Sequence, residues 1–414
     1  MEQVRPRLVA FAEQMLGGLA RSDQRAKGET YLRGLLTDGQ RKSMQPMAAR
    51  LGVDHQGLQQ FITSSTWEVE PVRATLARWA LPVIAPTAYV IDDSAFPKDG
   101  TASPCVARQY CPAPGKRANR QVAVSVQLVT DRASLAANWR LFCPESWDDA
   151  TITDAAAAQT IRERRVRAGI PDAVRHREKW RLALDMLDEM NQGWGLPKLP
   201  VSADSAYGDT TAFRLGLDER GYAYVVAASP TLTAYPADAL PQTAVYRGRG
   251  RRPGPRYPKE PATLRELALS AGRTATHQVT RRHGTRKTSD NPTAALRSRF
   301  LALRVRPEGR DIPRGPDGGL PACWLLAEWP PGAPEPSDYW LSNLPEGTPL
   351  RTLVRLAKIR WRVEHDYREL KTGLGLDHFE GRSFTGWHRH VTLVCLAQAF
   401  CTLLRLDPKA AAPA

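Results

Sequence analysis

Two short apolar runs in this chain, YVIDDSAF and PVSADSAYGD, lead into aspartates: Asp92, followed at once by Asp93, and Asp204. A third acid, Glu364, lies in KIRWRVEHDYRELK, with Arg360 four residues before it and Lys371 seven after. An unpaired carboxylate at the end of a buried strand is costly. Coordinating a cation is one way to hold it there, and capping a following turn is another. Adjacent strand residues face opposite ways, so no more than one of Asp92 and Asp93 can join a common site. Two strand aspartates and a helix glutamate could supply oxygen ligands for hard divalent cations, and Mg2+ suits such a set. Two such ions, about 3.5–4 Å apart, can activate a water or hydroxyl on one side of a phosphodiester and steady the leaving oxygen on the other. The alternative for Glu364 is a solvated helix whose pairs, such as Arg360–Glu364, contribute only about 0.3–0.5 kcal/mol each.

The elements that must carry these groups can be read from periodicity. Pro349 to Leu376 reads as one helix, with Leu356, Ile359, Val363, Tyr367, Leu370 and Leu374 as its apolar stripe. Ala357, Glu364 and Lys371, seven apart, share a neighbouring face, while Asp366 and Glu369 are expected to be solvated. TAYVIDDSAF, RQVAVSVQLVTD, NWRLFCPESW and YAYVVAAS read as strands. RHREKWRLALDMLDEMNQGW and TAFRLGLDERG read as helices, the second stopped by Gly221. This order describes a mixed α/β sheet with helices on its faces. Tyr207 and Gly208 are expected to shape the turn after Asp204, and Asp209 to cap the next helix.

Ahead of the sheet, Val4 to about Leu81 is helical in pattern. Met47–Ser65 resembles a helix-turn-helix, with a short helix ending at Gly52 and a second, capped by Asp54, turning Leu58 and Phe61 inward. An ordinary helical hairpin is the alternative. Arg41, Lys42 and Arg50 on its flanks favour DNA contact. The expected organisation is a helical DNA-binding domain over 1–82, the first part of an α/β core over 83–230, a basic β-rich insertion over 231–345, the helical end of the core over 346–406, and a disordered tail over 407–414. The insertion contains RGRGRRPGPR as a basic loop and ACWLLAEWP and DYWLSNLP as strands. His388 and His390, opening a hydrophobic helix, are expected to pack or cap rather than bind metal.

The 414 residues carry 58 Lys plus Arg against 43 Asp plus Glu, a formal charge of +15, which favours polyanionic partners. Six cysteines without metal-ligand spacing read as reduced, buried thiols of a cytoplasmic protein. The first residues form an amphipathic helix pattern rather than a signal peptide. No run of about 18 apolar residues appears, so no membrane partner is expected.

The order Asp92, Asp204, Glu364 resembles that of the DDE transposases of bacterial insertion sequences. Arg360, Glu364 and Lys371 match the Tyr-x2-Arg-x3-Glu-x6-Lys signature of their cut-and-paste group, while its tyrosine position holds Ala357. VIDDSAFPKDG, VARQYC, QVAVSVQLV, WRLFCPESW and ADSAYGD extend the resemblance over most of the chain. It implies a ribonuclease-H-like core and two Mg2+ ions, with Mn2+ able to substitute, held by Asp92, Asp204 and Glu364. Asp92 is preferred to Asp93 because the family's first aspartate precedes an x-Ser/Thr pair. It further implies Arg360 and Lys371 on DNA phosphates, Trp340 receiving a flipped base near a hairpin intermediate, double-stranded element ends and target DNA as partners, a homodimer on paired ends, and a nucleoid-associated location. A catalytically silent DNA-binding regulator and a metal-dependent nuclease without transposition are the other readings.

Overall fold

The computed structural model describes residues 4–111, 116–248, 250–284 and 287–407. The chain forms two compact units, one of Met1–Thr87, Ile91–Pro197 and Arg362–Ala414, the other of Ala88–Val90 and Lys198–Trp361.

The first unit begins with five helices: α1 (Arg5–Leu16), α2 (Ser22–Leu36), α3 (Met44–Leu51), α4 (His55–Thr63) and α5 (Val69–Ile84). Gly52 ends α3 in the left-handed conformation (φ 66°), where a Cβ would be strained. Asp54 then caps α4 by accepting from the Gln56 amide at 3.1 Å, and Leu58 and Phe61 are buried as the sequence predicts. Strand β1 (Ala88–Pro97) enters this unit at Ile91. It runs beside β3 (Lys116–Val129); the amides of Thr87 and Lys98 reach the carbonyls of Val129 and Asn119, so the two strands are antiparallel. β2 (Ala107–Cys111) and β4 (Ser134–Leu141) both pair antiparallel with β3. Helices α6 (Ala155–Ala168) and α7 (Lys179–Asp188) follow. The chain returns with α12 (Trp361–Thr372), most of which lies in this unit, and α13 (Phe384–Leu406).

α13 is buried nearly all round, as an apolar helix without a polar face must be. By length and composition it could cross a membrane, yet 72% of its most apolar window lies inside the molecule. Its few polar groups tie the unit together. Arg389 donates to the carbonyls of Ile62 and Ser65, at 3.1 and 2.5 Å, and to that of Trp67. His390 is held between the Tyr31 hydroxyl at 2.8 Å and the Gly375 carbonyl at 2.9 Å, and His388 sits against Arg73 at 3.2 Å. Both histidines therefore pack, as expected.

In the second unit the first residues of β1 pair parallel with β5 (Val201–Ala203), and β5 pairs parallel with β6 (Tyr224–Ala228). The order continues through β12 (Asp338–Ser342), β11 (Cys323–Glu328), β10 (Ala295–Pro307), β7 (Thr233–Pro236) and β8 (Ala262–Thr263), with β9 (His277–His283) on β10. Helices α8 (Ser205–Gly208), α9 (Thr211–Glu219), α10 (Leu264–Ala271) and α11 (Leu350–Lys358) complete it. α10 opens with a capping box between Thr263 and Glu266 and buries Leu264 and Leu267 in a core with Leu301, Val305, Leu325 and Leu341. This is a ribonuclease-H-like mixed α/β sheet with a helical N-terminal part and a β-rich insertion. Sequence periodicity missed α6, α10, β2, β7, β8 and β9.

Cys105, Cys143, Cys323 and Cys395 are buried free thiols and Cys401 is half-buried, while the Cys111 side chain and tail residues 408–414 lie outside the described residues.

Burial pushes the His390 imidazole down to about 4, against roughly 6.5 for an exposed histidine. As pH falls the unfolded chain binds this proton first. The associated stability is therefore complete above about 6.5 and lost toward about 4, a difference on the order of 3 kcal/mol. Urea unfolding is expected to show a steeper acid loss for wild type than for His390→Gln in that window; identical pH dependence would mean the imidazole is not held neutral.

Candidate active site

β1 separates its two aspartates by the strand's alternation. Asp92, Ser94 and Phe96 lie on the buried face, and Asp92 is only 8% exposed. Asp93 lies on the other face, half-buried and ion-paired with Lys179 of α7. Behind Asp92, the Ser125 hydroxyl of β3 stands 3.4 Å from the Asp92 carbonyl oxygen and 2.6 Å from the Tyr367 hydroxyl of α12. Burial raises the Tyr367 phenol well above its usual range, and the neighbouring charge of Asp92 adds to this, so the group stays a neutral donor.

The expected single helix over Pro349–Leu376 is two helices, because α11 ends at Lys358, Ile359 and Arg360 form a turn, and α12 starts at Trp361. Leu356, Ile359, Val363, Tyr367 and Leu370 are buried, as the apolar stripe predicts, whereas Leu374 lies past the end of α12 and is only half-buried. Ala357 and Arg360, however, do not share a continuous helical face with Glu364. Within α12, Glu364, Tyr367 and Lys371 lie at i, i+3 and i+7 on one side. Glu364 is exposed in the first turn, and the Lys371 ammonium donates to the Ala95 carbonyl of β1 at 2.8 Å. That bond fixes this side of α12 on the strand that carries Asp92.

Asp366 is the clearest correction. Expected to be solvated, it is fully buried, and its carboxylate accepts from the Ser134 hydroxyl of β4 and from Gln398 of α13 at 3.2 Å, with Arg362 at 3.6 Å. Burial raises its pKa. Glu369 is exposed as expected and pairs with Arg405 at 3.2 Å.

In the second unit Asp204 follows β5 and caps α8, accepting from the Tyr207 amide at 3.3 Å. The parallel register Tyr89↔Val201 and Val90↔Ser202 has a direct consequence in chain position: Asp92 and Asp204 each stand two residues beyond the last pair. Tyr207 is buried and Gly208 passes close under the Ala227 carbonyl, so both shape the turn as expected. Asp209 does not cap α9; it accepts from the Ser229 amide at 2.7 Å and from the Ser229 hydroxyl, clamping the chain after β6.

Trp340 is 5% exposed in β12, and the Lys358 ammonium lies 4.6 Å over its ring while pairing with the buried Glu328. Arg41 and Arg50 are exposed; Arg41 pairs with Glu380 at 2.9 Å and Arg50 donates to the Arg41 carbonyl at 2.8 Å. Lys42 is buried, its ammonium turned onto the Thr37 carbonyl, so it shapes the loop before α3 rather than presenting charge.

Asp92, Asp204 and Glu364 are carboxylate oxygen donors, the chemistry Mg2+ and Mn2+ take. His365, Asp366 and Glu369 also bring ligand atoms within 4.8 Å of one another. Arg362 and Arg405 already neutralise those two carboxylates, which disfavours a cation there. Sequence reasoning missed Ser125 and the Tyr367 hydroxyl. The available signal was that a tyrosine in an apolar stripe needs a polar partner for its hydroxyl.

A family model described as DDE superfamily endonuclease matches residues 14–288. A protein described as a probable transposase for insertion sequence element IS701, from Microchaete diplosiphon, is 29% identical over 198 residues, 47% of this chain and 46% of that protein. The chain thus matches about half the length of this curated relative. The family match ends before Arg360, Glu364 and Lys371.

A Cβ at Gly208 would overlap the Ala227 carbonyl oxygen and lie 2.9 Å from its carbon, both backbone atoms that cannot swing aside. Gly208→Ala is expected to cost about 1–3 kcal/mol by overpacking, read as a lower urea midpoint; an unchanged midpoint would show that the turn beside Asp204 relaxes freely.

Proposed function

Because the chain belongs to the DDE superfamily of endonucleases, we propose that it is a transposase, cleaving the ends of an insertion element by divalent-metal-dependent hydrolysis and joining the freed 3′-hydroxyls to target DNA. The observation that supports this reading is the register of the strands and the helix that lead to the acids. Asp92 and Asp204 occupy equivalent positions past a parallel strand pair, and Glu364 lies on the side of α12 that Lys371 fastens to β1.

Asp92, Asp204 and Glu364 would hold Mg2+, with Mn2+ as a substitute. When bound, a pair of such ions supplies an activated water or hydroxyl and charge neutralisation at the leaving oxygen. The protein's own part is placement. Burial of Asp92 excludes competing water from one side, and the cap at Asp204 orients its carboxylate. Arg360 and Lys371 would lie along the DNA backbone near the scissile phosphate. Arg41, exposed in the loop before α3, and Arg50, exposed at the end of α3, would contact the element end, with an affinity that falls as salt rises. Trp340 would receive an extruded base only after Lys358 moves off its ring. Double-stranded ends bound by a homodimer in the bacterial nucleoid complete the proposal.

Purified protein with Mg2+ and DNA carrying the flanks of its own gene is expected to cut at the element ends. Glu364→Ala should bind the same DNA and cut at least 100-fold more slowly, on the order expected for loss of a metal ligand (~10² or more). Equal cutting by both would remove Glu364 from the site, and salt-sensitive binding with no cutting by wild type would favour a silent DNA-binding regulator.

A further inference from the structure

Polar ties join the side of α12 that bears Glu364 to the Asp92 strand, and two of them are described by their geometry. One is the Lys371 ammonium on the Ala95 carbonyl. The other is wholly buried. The Tyr367 hydroxyl lies 2.6 Å from Ser125 Oγ, which has Gln127 Nε2 and the Asp92 carbonyl oxygen each at 3.4 Å. Ser125 and Gln127 have no solvent exposure and Tyr367 only 8%. A serine hydroxyl has one proton to give and two lone pairs to receive. With Ser125 donating to the Asp92 carbonyl, it can accept from both Tyr367 and Gln127. The Tyr367 ring packs edge-on against Trp139 at 6.0 Å, so its place is held by packing as well as by the hydroxyl.

We propose that Tyr367 is a positioning residue, whose hydroxyl, acting through Ser125, sets the backbone of Asp92 against the helix that presents Glu364. The inference rests on those two acids being metal ligands, as proposed above. Neither Tyr367 nor Ser125 touches substrate. Their work is to keep the two carboxylates at one separation, the task of the outer groups that support metal ligands and whose loss typically weakens metal binding roughly 10–100-fold.

Full-length wild type, Tyr367→Phe, Ser125→Ala, the double variant and Glu364→Gln would be titrated with Mn2+ alone, binding being read from the paramagnetic relaxation of water protons, beside cleavage rates at graded Mn2+. Phenylalanine keeps the ring against Trp139, so Tyr367→Phe is expected to fold, with a thermal midpoint within a few degrees of wild type. Its Mn2+ affinity is expected to fall roughly ten-fold or more, with the cleavage rate recovering at saturating Mn2+. Ser125→Ala should behave alike, and the double variant no worse than either single one, because the groups act as one chain. Wild-type Mn2+ affinity in Tyr367→Phe, with affinity lost in Glu364→Gln, would overturn this inference alone. Undiminished affinity in Glu364→Gln would overturn the ligand assignment and this inference with it.

Discussion

A carboxylate with no contact with water, that of Asp366, decides where α12 can lie. Withdrawing such a charge from solvent costs several kcal/mol unless partners surround it. Here they come from three directions: Ser134 of β4, Gln398 of α13 and Arg362 one turn earlier. Sliding or rotating the helix would strip the charge of at least one of them. Arg362 moves with α12, but Ser134 and Gln398 do not, and a hydrogen bond to a charged group is worth roughly 1.5–3 kcal/mol, so these two bonds hold the register of α12 in its unit. The presentation of Glu364, two residues earlier on the same helix, follows from that register.

The break between α11 and α12 has a related origin. No glycine or proline interrupts KIRWRVE, and the apolar stripe continues through it, so intrinsic propensity would run the helix straight on. Buried charge stands on either side instead. Lys358 is committed to Glu328 and to the Trp340 ring in the second unit, while Asp366 is committed to β4 and α13 in the first. The chain passes from one unit to the other between Trp361 and Arg362, close after this turn. Satisfying both sets of partners takes precedence over the two or three backbone hydrogen bonds that a continuous helix would add, each with a net contribution of only about 1 kcal/mol.

The features legible in the sequence were those written in apolar periodicity or in turn chemistry. β1, β3 and β6 declared themselves by β-branched runs, the α3–α4 turn by Gly52 and Asp54, and α7 by its apolar face. Hidden features had partners remote in sequence. Nothing in HDYREL says that its aspartate is buried while its neighbours are exposed, because Ser134 and Gln398 lie over 200 and 32 residues away. Asp209 looked like a cap and instead holds Ser229. β9, HQVTRRH, carries too much charge to read as a strand; it is one because β10 offers it an edge. For the candidate site, local pattern pointed to Asp204, Glu364 and one of Asp92 and Asp93, and the family resemblance chose Asp92. The Tyr367–Ser125 link could not be read this way, since it joins two elements 242 residues apart.

Ala357 shows how burial reinterprets a departure from a motif. In the linear pattern it stands where the related signature has a tyrosine, which suggests a lost phosphate contact. In the structure it is 4% exposed, on a helix whose Leu353, Val354 and Leu356 are also buried. A tyrosine there would have to enter a packed interior, at the roughly 1–3 kcal/mol that overpacking costs, and its hydroxyl would then need a buried partner. The small residue at 357 is therefore explained by packing within α11, without reference to DNA. The cations at Arg360 and Lys371 stand beyond that constraint, in the turn and on α12, and the proposed phosphate contacts rest on those two residues.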